Sequence, residues 1–132
     1  MFTYTTTVTL RDADAAGILF FARHFYYAHD AYEAFMASRG VNFLRLVRDE
    51  GYFIPLVRAE ADYKLPLLVG DKVTVRLRVE EVQNRKFVLV CELCKEDGDV
   101  ACTVRTVHVT VQRDTGRSVD LPEPVRKAME NA

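Results

Sequence analysis

Hydrophobic and polar residues alternate at the start of the chain and again through its second half. In residues 2–10 the apolar positions alternate with threonines, and this two-residue period predicts a β-strand. Four later segments have the same period and predict four more strands: residues 57–64, 73–80, 86–95 and 100–112. Asp97-Gly98, between the last two segments, is typical of a tight hairpin turn, so these strands are expected to pair antiparallel.

Residues 24–39 follow a helical period instead. Five of them share one helical face: Phe25, Ala28, Tyr32, Phe35 and Met36. Gly40 follows, where a helix commonly ends. Residues 41–50 predict a short second helix, and the tail from Pro122 predicts a third. The order of strand, long helix and four strands predicts a single α+β domain over residues 1–132, with an antiparallel sheet packed on one helix.

Composition narrows the class of protein. The 132 residues are 49% hydrophobic and 28% charged, which is typical of a globular domain with a real core. The net charge of −1 provides no basic face, so nucleic acid is not expected as a partner. The first residues lack the features of a signal peptide, and no apolar run approaches the ~18 residues of a membrane span. A cytoplasmic protein is therefore expected.

Cys91 and Cys94 have the CxxC spacing of some zinc and redox sites, but they lie in a predicted strand. Residues three apart in a strand point to opposite faces, so the two sulfur atoms are expected to diverge. No second CxxC or Cys/His pair lies nearby. Together with Cys102, they are therefore predicted to be buried free thiols, and neither a metal nor a cofactor is expected.

The segment from Arg11 to Phe21 contains the main candidate for chemistry. A strand ends there, two aspartates and Gly17 form a turn, and an apolar stretch leads into the long helix. This order can place Asp14 close to a helix N-terminus, where N–H donors and the helix dipole would polarise a carbonyl group. Such a site suits the attack on an ester or thioester without a metal. Spacing alone favours a simpler interpretation, in which Asp12 and Asp14 only end a strand and cap a helix.

Three landmarks in register resemble one known family. Residues 12–20 resemble its Asp-x-Asp-x-x-Gly motif followed by apolar residues, Ile54-Pro55-Leu56-Val57 resembles its second landmark, and Gly70-Asp71 before a strand resembles its third. From Tyr4 to about Val111 the chain is thus similar to the 4-hydroxybenzoyl-CoA thioesterase superfamily. The resemblance implies a hotdog fold, in which a five-stranded antiparallel sheet wraps a long central helix.

Within that superfamily, the chain most resembles the 1,4-dihydroxy-2-naphthoyl-CoA hydrolases of phylloquinone and menaquinone synthesis. Five segments carry this resemblance: residues 3–4, 19–21, 29–33, 53–57 and 106–109. Thioesterases associated with the Tol–Pal envelope system usually have a histidine where this chain has Phe21. The resemblance implies an enzyme that hydrolyses an aromatic acyl-CoA to the free acid and CoA.

The resemblance also implies roles for individual residues. Asp14 would be the catalytic carboxylate, acting as nucleophile or as general base, while Asp12 stays structural. Gly17 would let the backbone approach the substrate, and the N–H groups near Phe21 would hold the oxyanion. The acyl pocket would be lined by Phe20, Phe25, Ile54, Pro55 and Leu56, with Tyr26 beside them. Arg85 and Lys86 match a basic cluster that binds the phosphates of CoA, although a solvated turn explains them equally well.

Other polar residues remain as alternatives. Glu33 is the alternative catalytic carboxylate, because some hotdog thioesterases place it on the long helix, and His29 lies four residues before it. His24 would either line the site or lie on the solvated surface. His108 is expected to be a satisfied histidine in the interior or at an interface.

The resemblance also implies an oligomeric state, and two alternative functions remain open. Hotdog proteins pair their sheets edge to edge with active sites between subunits, so a homodimer or a tetramer of two dimers is expected. The first alternative function is a thioesterase for short or branched aliphatic acyl-CoA. The second is a non-catalytic module that binds acyl-CoA or an acyl carrier, and acyl-carrier protein remains open as the carrier of the substrate.

Overall fold

The computed structural model describes residues 1–131. These residues form three helices: α1 (Arg23–Ser38), α2 (Phe43–Arg48) and α3 (Glu123–Glu130). They form seven strands: β1 (Phe2–Thr7), β2 (Tyr52–Phe53), β3 (Leu56–Tyr63), β4 (Lys72–Val82), β5 (Lys86–Cys94), β6 (Val100–Val109) and β7 (Val111–Gln112). A short 3₁₀ turn, Leu10–Asp12, separates β1 from α1. Within the described part of the chain, no helix is long and apolar enough to cross a bilayer.

Five of the strands form one antiparallel sheet in the order β1-β4-β5-β6-β3. Helix α1 contacts all five of them, so the sheet wraps around it. The two shortest strands, β2 and β7, form a separate antiparallel pair. This architecture confirms the predicted α+β fold with one long helix and a five-stranded antiparallel sheet.

The core lies between α1 and the inner face of the sheet. Ala28 and Ala31 are buried on the helix, and their small side chains allow the strands to approach closely. Phe35 and Met36 are fully buried on the same face, as the helical period predicts. Their neighbours on the sheet are buried aliphatic and aromatic residues, among them Val75 and Phe87. Truncation of a side chain such as Phe35 to alanine typically costs about 3–5 kcal/mol.

Two predicted strand boundaries are wrong. β1 ends at Thr7 rather than at residue 10, because the Val8 carbonyl accepts a hydrogen bond from Gly70 N–H and the chain then bends into the 3₁₀ turn. The predicted strand 100–112 is interrupted at Thr110, whose hydroxyl donates to the Val119 carbonyl at 2.7 Å. Beyond this residue, β7 leaves the main sheet and pairs with β2.

The strand β3 forms one edge of the sheet and is open to solvent along its length. Every residue of it is exposed except Ala61, which is half-buried. An edge strand leaves backbone N–H and C=O groups unpaired, and proteins normally cover such an edge or pair it with another strand. The exposed edge follows the apolar segment Ile54-Pro55, which the sequence assigned to the acyl pocket.

Candidate active site

Asp14 lies in a tight turn that its own side chain closes. Its Oδ1 accepts hydrogen bonds from the backbone N–H groups of Ala16, at 2.9 Å, and Ile18, at 3.1 Å. Gly17 completes the turn with φ of +78°, a conformation that L-residues with a side chain adopt only with strain. Among residues 1–131 nothing donates to Oδ2, so the carboxylate is anchored through one oxygen and free at the other.

Asp12 anchors this turn to the core. Its Oδ2 accepts hydrogen bonds from the hydroxyl groups of Tyr27, at 3.0 Å, and Thr9, at 3.2 Å. Its backbone carbonyl accepts from Phe20 N–H at 2.9 Å, just before the long helix. The Arg23 guanidinium adds an ion pair, with Nε 3.8 Å from Oδ1. Asp12 is therefore a buried structural carboxylate that ties the chain on both sides of Asp14 to α1.

A cavity of about 440 Å³ lies beside Asp14 and contains the predicted Phe20 and Phe21. It also contains His24, which is 4% exposed, so the alternative of a solvated surface histidine is wrong. Tyr63 lines the opposite side, with its ring 4.8 Å from the His24 ring in an edge-on contact. The predicted residues Asp14, Phe20 and Phe21 therefore line one cavity, together with Tyr63, which the sequence did not single out.

The Phe21 carbonyl is the polar centre of this cavity. It accepts a hydrogen bond from the Tyr63 hydroxyl at 2.6 Å and lies 3.1 Å from His24 Nδ1. A carbonyl can only accept, so Nδ1 carries the proton and Nε2 of the neutral ring keeps its lone pair. Burial lowers the pKa of His24, which favours this neutral ring, although the backbone contacts to Phe21 and Phe20 act in the opposite direction.

Helix α1 begins beside the same cavity without a side-chain cap. Ala22 stands at its N-cap position and offers no hydrogen-bond acceptor on its side chain. In the described chain, the Phe21 N–H donates to no backbone or side-chain acceptor. A free N–H at the positive end of a helix can stabilise a developing oxyanion, so the structure is consistent with the predicted role of Phe21.

A second and larger cavity, of about 630 Å³, lies between α1 and strands β3, β5 and β6. The predicted pocket residues Phe25 and Leu56 line it, together with Tyr32 and His108. Tyr26 lines its wall as well. Within one chain this cavity shares no lining residue with the cavity beside Asp14.

The other predicted pocket residues do not meet in one place. Ile54 lies in a third, smaller cavity with His29 and Glu33. Pro55 lines none of the three cavities, and its carbonyl accepts from Val109 N–H at 3.1 Å. Because Glu33 and Asp14 line different cavities, the geometry of one chain does not bring the two carboxylates together.

Arg85 and Lys86 lie apart from all three cavities. Arg85 is exposed, and its Nε lies 3.2 Å from Asp120 Oδ1, in a shallow polar pocket with Gln83. Lys86 is half-buried at the first position of β5. Their assignment to the phosphates of CoA stays a prediction, and an incoming phosphate would have to compete with Asp120 for Arg85.

All three cysteines are buried free thiols, as predicted. Burial raises the pKa of the Cys91 and Cys102 thiols to about 12, so neither forms a reactive thiolate near neutral pH. Within residues 1–131, no three His, Cys, Asp or Glu side chains are grouped as a metal site would require.

His108 corrects one prediction in part. It lies in the interior, as expected, and its Nε2 is 2.9 Å from Thr106 Oγ1. Its Nδ1, however, is buried without a hydrogen-bond partner in the described chain, so the ring is only half satisfied. The sequence marks this position by a histidine on the mostly apolar face of a strand with alternating polar and apolar residues.

The sequence of most of the chain matches one family of proteins. Residues 8–129 match the family model described as the thioesterase-like superfamily. The chain belongs to that superfamily. This thioesterase-like protein is 30% identical to the 1,4-dihydroxy-2-naphthoyl-CoA hydrolase of Thermosynechococcus vestitus, over 98% of its own length and 88% of that protein.

Solved structures agree with this membership. A 1,4-dihydroxy-2-naphthoyl-CoA thioesterase from Synechocystis superposes with a TM-score of 0.93 and 27% identity, over 98% of this chain and 96% of that one. A protein from Staphylococcus aureus in complex with CoA superposes with a TM-score of 0.92 and 26% identity, over 98% of this chain and 82% of that one. The hotdog fold inferred from the sequence motifs is thus confirmed across nearly the whole chain.

Proposed function

We propose that this protein hydrolyses the thioester of an aromatic acyl group and CoA, releasing the free acid and CoA. The substrate proposed is 1,4-dihydroxy-2-naphthoyl-CoA, an intermediate of naphthoquinone synthesis, because relatives that match nearly the full chain bear that name. The observation that carries the proposal is the Asp14 carboxylate, which is anchored at Oδ1, free at Oδ2 and beside an uncapped helix start.

In the proposed reaction, Asp14 Oδ2 either attacks the thioester carbonyl or takes a proton from a water that attacks it. Direct attack gives an acyl-enzyme anhydride, which water then hydrolyses. Water activation gives the tetrahedral intermediate directly. In both cases the CoA thiolate is a good leaving group, so one fixed carboxylate is sufficient for catalysis.

The oxyanion would be held by the Phe21 N–H at the start of α1. Tyr63 and His24 both bind the Phe21 carbonyl, so this part of the backbone is fixed from two sides. Donors that are already in place need no reorganisation as charge develops in the transition state, and removal of one such donor typically lowers kcat by about 10²–10³-fold.

A homodimer paired along β3 is part of the proposal. Apolar side chains are 40–60% exposed along and after this edge: Leu56, Val57, Tyr63 and Leu65. Pairing of two β3 edges would cover them and satisfy the free backbone groups. In such a dimer the active site would lie between subunits, and two dimers would form a tetramer. Arg85 and Lys86 would then hold the phosphates of CoA at the surface.

A cytoplasmic location is proposed as well. Three buried free thiols suit a reducing compartment, where disulfides are rare. The proposed substrate carries a highly charged CoA moiety and belongs to intermediary metabolism, which fits the same location.

The decisive test is thiol release from a panel of acyl-CoA thioesters by wild type and Asp14→Asn. The panel contains naphthoyl, benzoyl, phenylacetyl and short aliphatic thioesters. Asparagine keeps an oxygen that accepts from Ala16 and Ile18, so the turn is preserved while the charge is lost. Asp97→Asn is the matched control, because Asp97 also closes an exposed turn with its side chain.

We expect a hydroxylated naphthoyl thioester to be turned over fastest, with a loss of about 10²–10⁴-fold in Asp14→Asn and none in the control. Activity that survives in Asp14→Asn would indicate that Glu33 is the catalytic carboxylate. Faster turnover of aliphatic thioesters would show that the substrate is an aliphatic rather than an aromatic acyl-CoA. A folded protein that binds these thioesters without turnover would be a binding module, or would need its substrate on acyl-carrier protein.

A further inference from the structure

His24 is a base in the Asp14 cavity to which the proposed reaction gives no chemical step. The described residues that line this cavity include four with polar side chains: Asp14, His24, Tyr63 and Lys64. A lysine ammonium has no lone pair, and the Tyr63 phenol already donates its proton to the Phe21 carbonyl at 2.6 Å. Apart from the Asp14 carboxylate, His24 is therefore the one base among these lining residues.

The His24 ring is held by the protein at one nitrogen and open to the cavity at the other. Nδ1 donates to the Phe21 carbonyl at 3.1 Å, and the Tyr63 ring packs edge-on at 4.8 Å. Nε2 has no hydrogen-bond partner within residues 1–131, yet it is not one of the fully buried polar atoms, so the cavity reaches it. Burial lowers the pKa of His24, so the ring is neutral near pH 7 and Nε2 carries a lone pair.

This arrangement is typical of a general base. In enzymes that use a histidine in this way, a third group holds one ring nitrogen so that the other is directed at the proton to be removed. In this protein the Phe21 carbonyl is that group. When Nε2 takes up a proton, the ring becomes a cation, and the hydrogen bond from Nδ1–H to the carbonyl strengthens because its donor is now charged.

A second base is needed when Asp14 is the nucleophile. Its Oδ2 is then part of the acyl-enzyme anhydride, and an acylated carboxylate cannot take a proton from water. Another group in the cavity must activate the water that hydrolyses the anhydride. The cavity has room for this water beside a thioester group, because its volume is about 440 Å³ and one water occupies about 30 Å³.

We propose that His24 is a catalytic residue, the general base of the second half of the reaction. In the first half, Asp14 Oδ2 attacks the thioester carbon, the C–S bond breaks and CoA leaves as the thiolate. In the second half, His24 Nε2 takes a proton from a water whose oxygen attacks the acyl carbon, and the bond from this carbon to Oδ2 breaks. The imidazolium then gives its proton to the CoA thiolate or, once CoA has left, to solvent. This step rests on the proposed function, with Asp14 as nucleophile.

The test follows the two halves separately in His24→Asn. The asparagine amide can donate to the Phe21 carbonyl from about the position of Nδ1, so this contact is kept while the base is lost. The variant is mixed rapidly with an excess of the panel thioester that wild type hydrolyses fastest, and a thiol reagent reports CoA. We expect a burst of about one CoA per subunit, then a steady state about 10²–10⁴-fold slower than wild type. The intact mass of the quenched protein should show an acyl group, which peptide mapping should place on Asp14.

Tyr63→Phe is the matched comparison, because it removes the other donor to the Phe21 carbonyl and leaves the base in place. We expect it to slow the release of CoA without accumulation of acyl-enzyme. The same behaviour in His24→Asn would show that His24 only positions this carbonyl, and would overturn the inference. A raised KM with unchanged kcat in His24→Asn would show that Nε2 binds substrate instead, and would overturn it as well.

A second variant keeps the test valid if His24→Asn does not fold. His24→Ala leaves a space beside the cavity that a small ring can enter. Free imidazole should restore the second half of the reaction there, whereas pyrazole, which has the same shape and is a far weaker base, should not. Equal restoration by both rings would indicate that His24 acts by packing alone, and would overturn the inference.

Failure of this inference is distinguishable from failure of the proposed function. Unchanged turnover in His24→Asn, or slow turnover without an acyl group on Asp14, would overturn the role of His24 while wild type still hydrolyses thioesters. If wild type hydrolyses no thioester of the panel, the proposed function fails and the role of His24 fails with it.

Discussion

Replacement of Tyr27 by phenylalanine tests whether the buried Asp12 holds the Asp14 turn in place. Tyr27 is 4% exposed, and its hydroxyl donates to Asp12 Oδ2 at 3.0 Å. The substitution removes this one oxygen and leaves the ring in the core. Asp12 then keeps the Thr9 hydroxyl at 3.2 Å and the Arg23 ion pair at 3.8 Å.

The expected cost follows from the charge of the acceptor. A hydrogen bond to a charged group contributes about 1.5–3 kcal/mol to stability. Asp12 also keeps a second ion pair, with Arg11 Nε 3.8 Å from Oδ1. Since three partners of Asp12 remain, the loss should fall in the lower half of that range, at about 1.5–2 kcal/mol. In a domain of 132 residues, such a loss lowers the unfolding temperature by about 5–7 °C.

The assay is denaturant unfolding at one fixed protomer concentration, because a dimer makes stability depend on concentration. Burial and the neighbouring Asp12 raise the pKa of Tyr27, so the hydroxyl stays protonated and the difference should be constant from about pH 6 to pH 9. Tyr26→Phe is the control, since Tyr26 is 57% exposed, and should change stability by less than about 0.5 kcal/mol. A loss below about 0.5 kcal/mol in Tyr27→Phe would refute the role given to Asp12.

For two further perturbations, the structure determines whether the free energy of unfolding rises or falls. Gly17→Ala should cost about 1–2 kcal/mol in the free energy of unfolding, because φ is +78° and no atom lies within 4 Å of the added Cβ; Gly17→Asn should cost less, since asparagine tolerates this conformation. Equal costs in the two variants would contradict strain as the cause. Burial lowers the pKa of His108 to about 3, so as pH falls below ~6.5 the unfolded chain gains a proton that the folded chain excludes, and stability falls. Denaturant titrations should show a fall between pH 7 and pH 5 that is smaller in His108→Phe by about 2 kcal/mol, and identical falls would show that His108 is not buried as a neutral ring.

Much of the fold could be predicted because its signals are local. Helix α1 begins one residue before the predicted segment and ends one before its end, since its apolar face and Gly40 lie within a few turns of each other. The strand boundaries at Thr7 and Thr110 could not be predicted, because residues distant in sequence decide them. Val8 is held by the turn before β4, and Thr110 by the segment that follows β7.

In the candidate site, too, residues close in sequence could be predicted together and residues distant in sequence could not. Asp14, Gly17 and Phe21 are close in sequence, so a short motif was sufficient to bring them together. Tyr63 reaches the Phe21 carbonyl only because β3 lies at the sheet edge next to the start of α1. The predicted pocket residues divide between separate cavities, because α1 and the sheet enclose different spaces along their length.

The sequence by itself determined the α+β class and the family, because the hydrophobic period and the short motifs depend on a few neighbouring residues. It also singled out Asp14 as the candidate carboxylate. The tertiary structure alone decided that Arg85 is paired with Asp120. It also decided that the Tyr32 hydroxyl and His108 Nδ1 are buried without a hydrogen-bond partner among the described residues. These features depend on how helix α1 packs against the five strands of the sheet. Burial, the loss of hydrogen-bond partners and the shape of a cavity arise only when distant parts of the chain pack together.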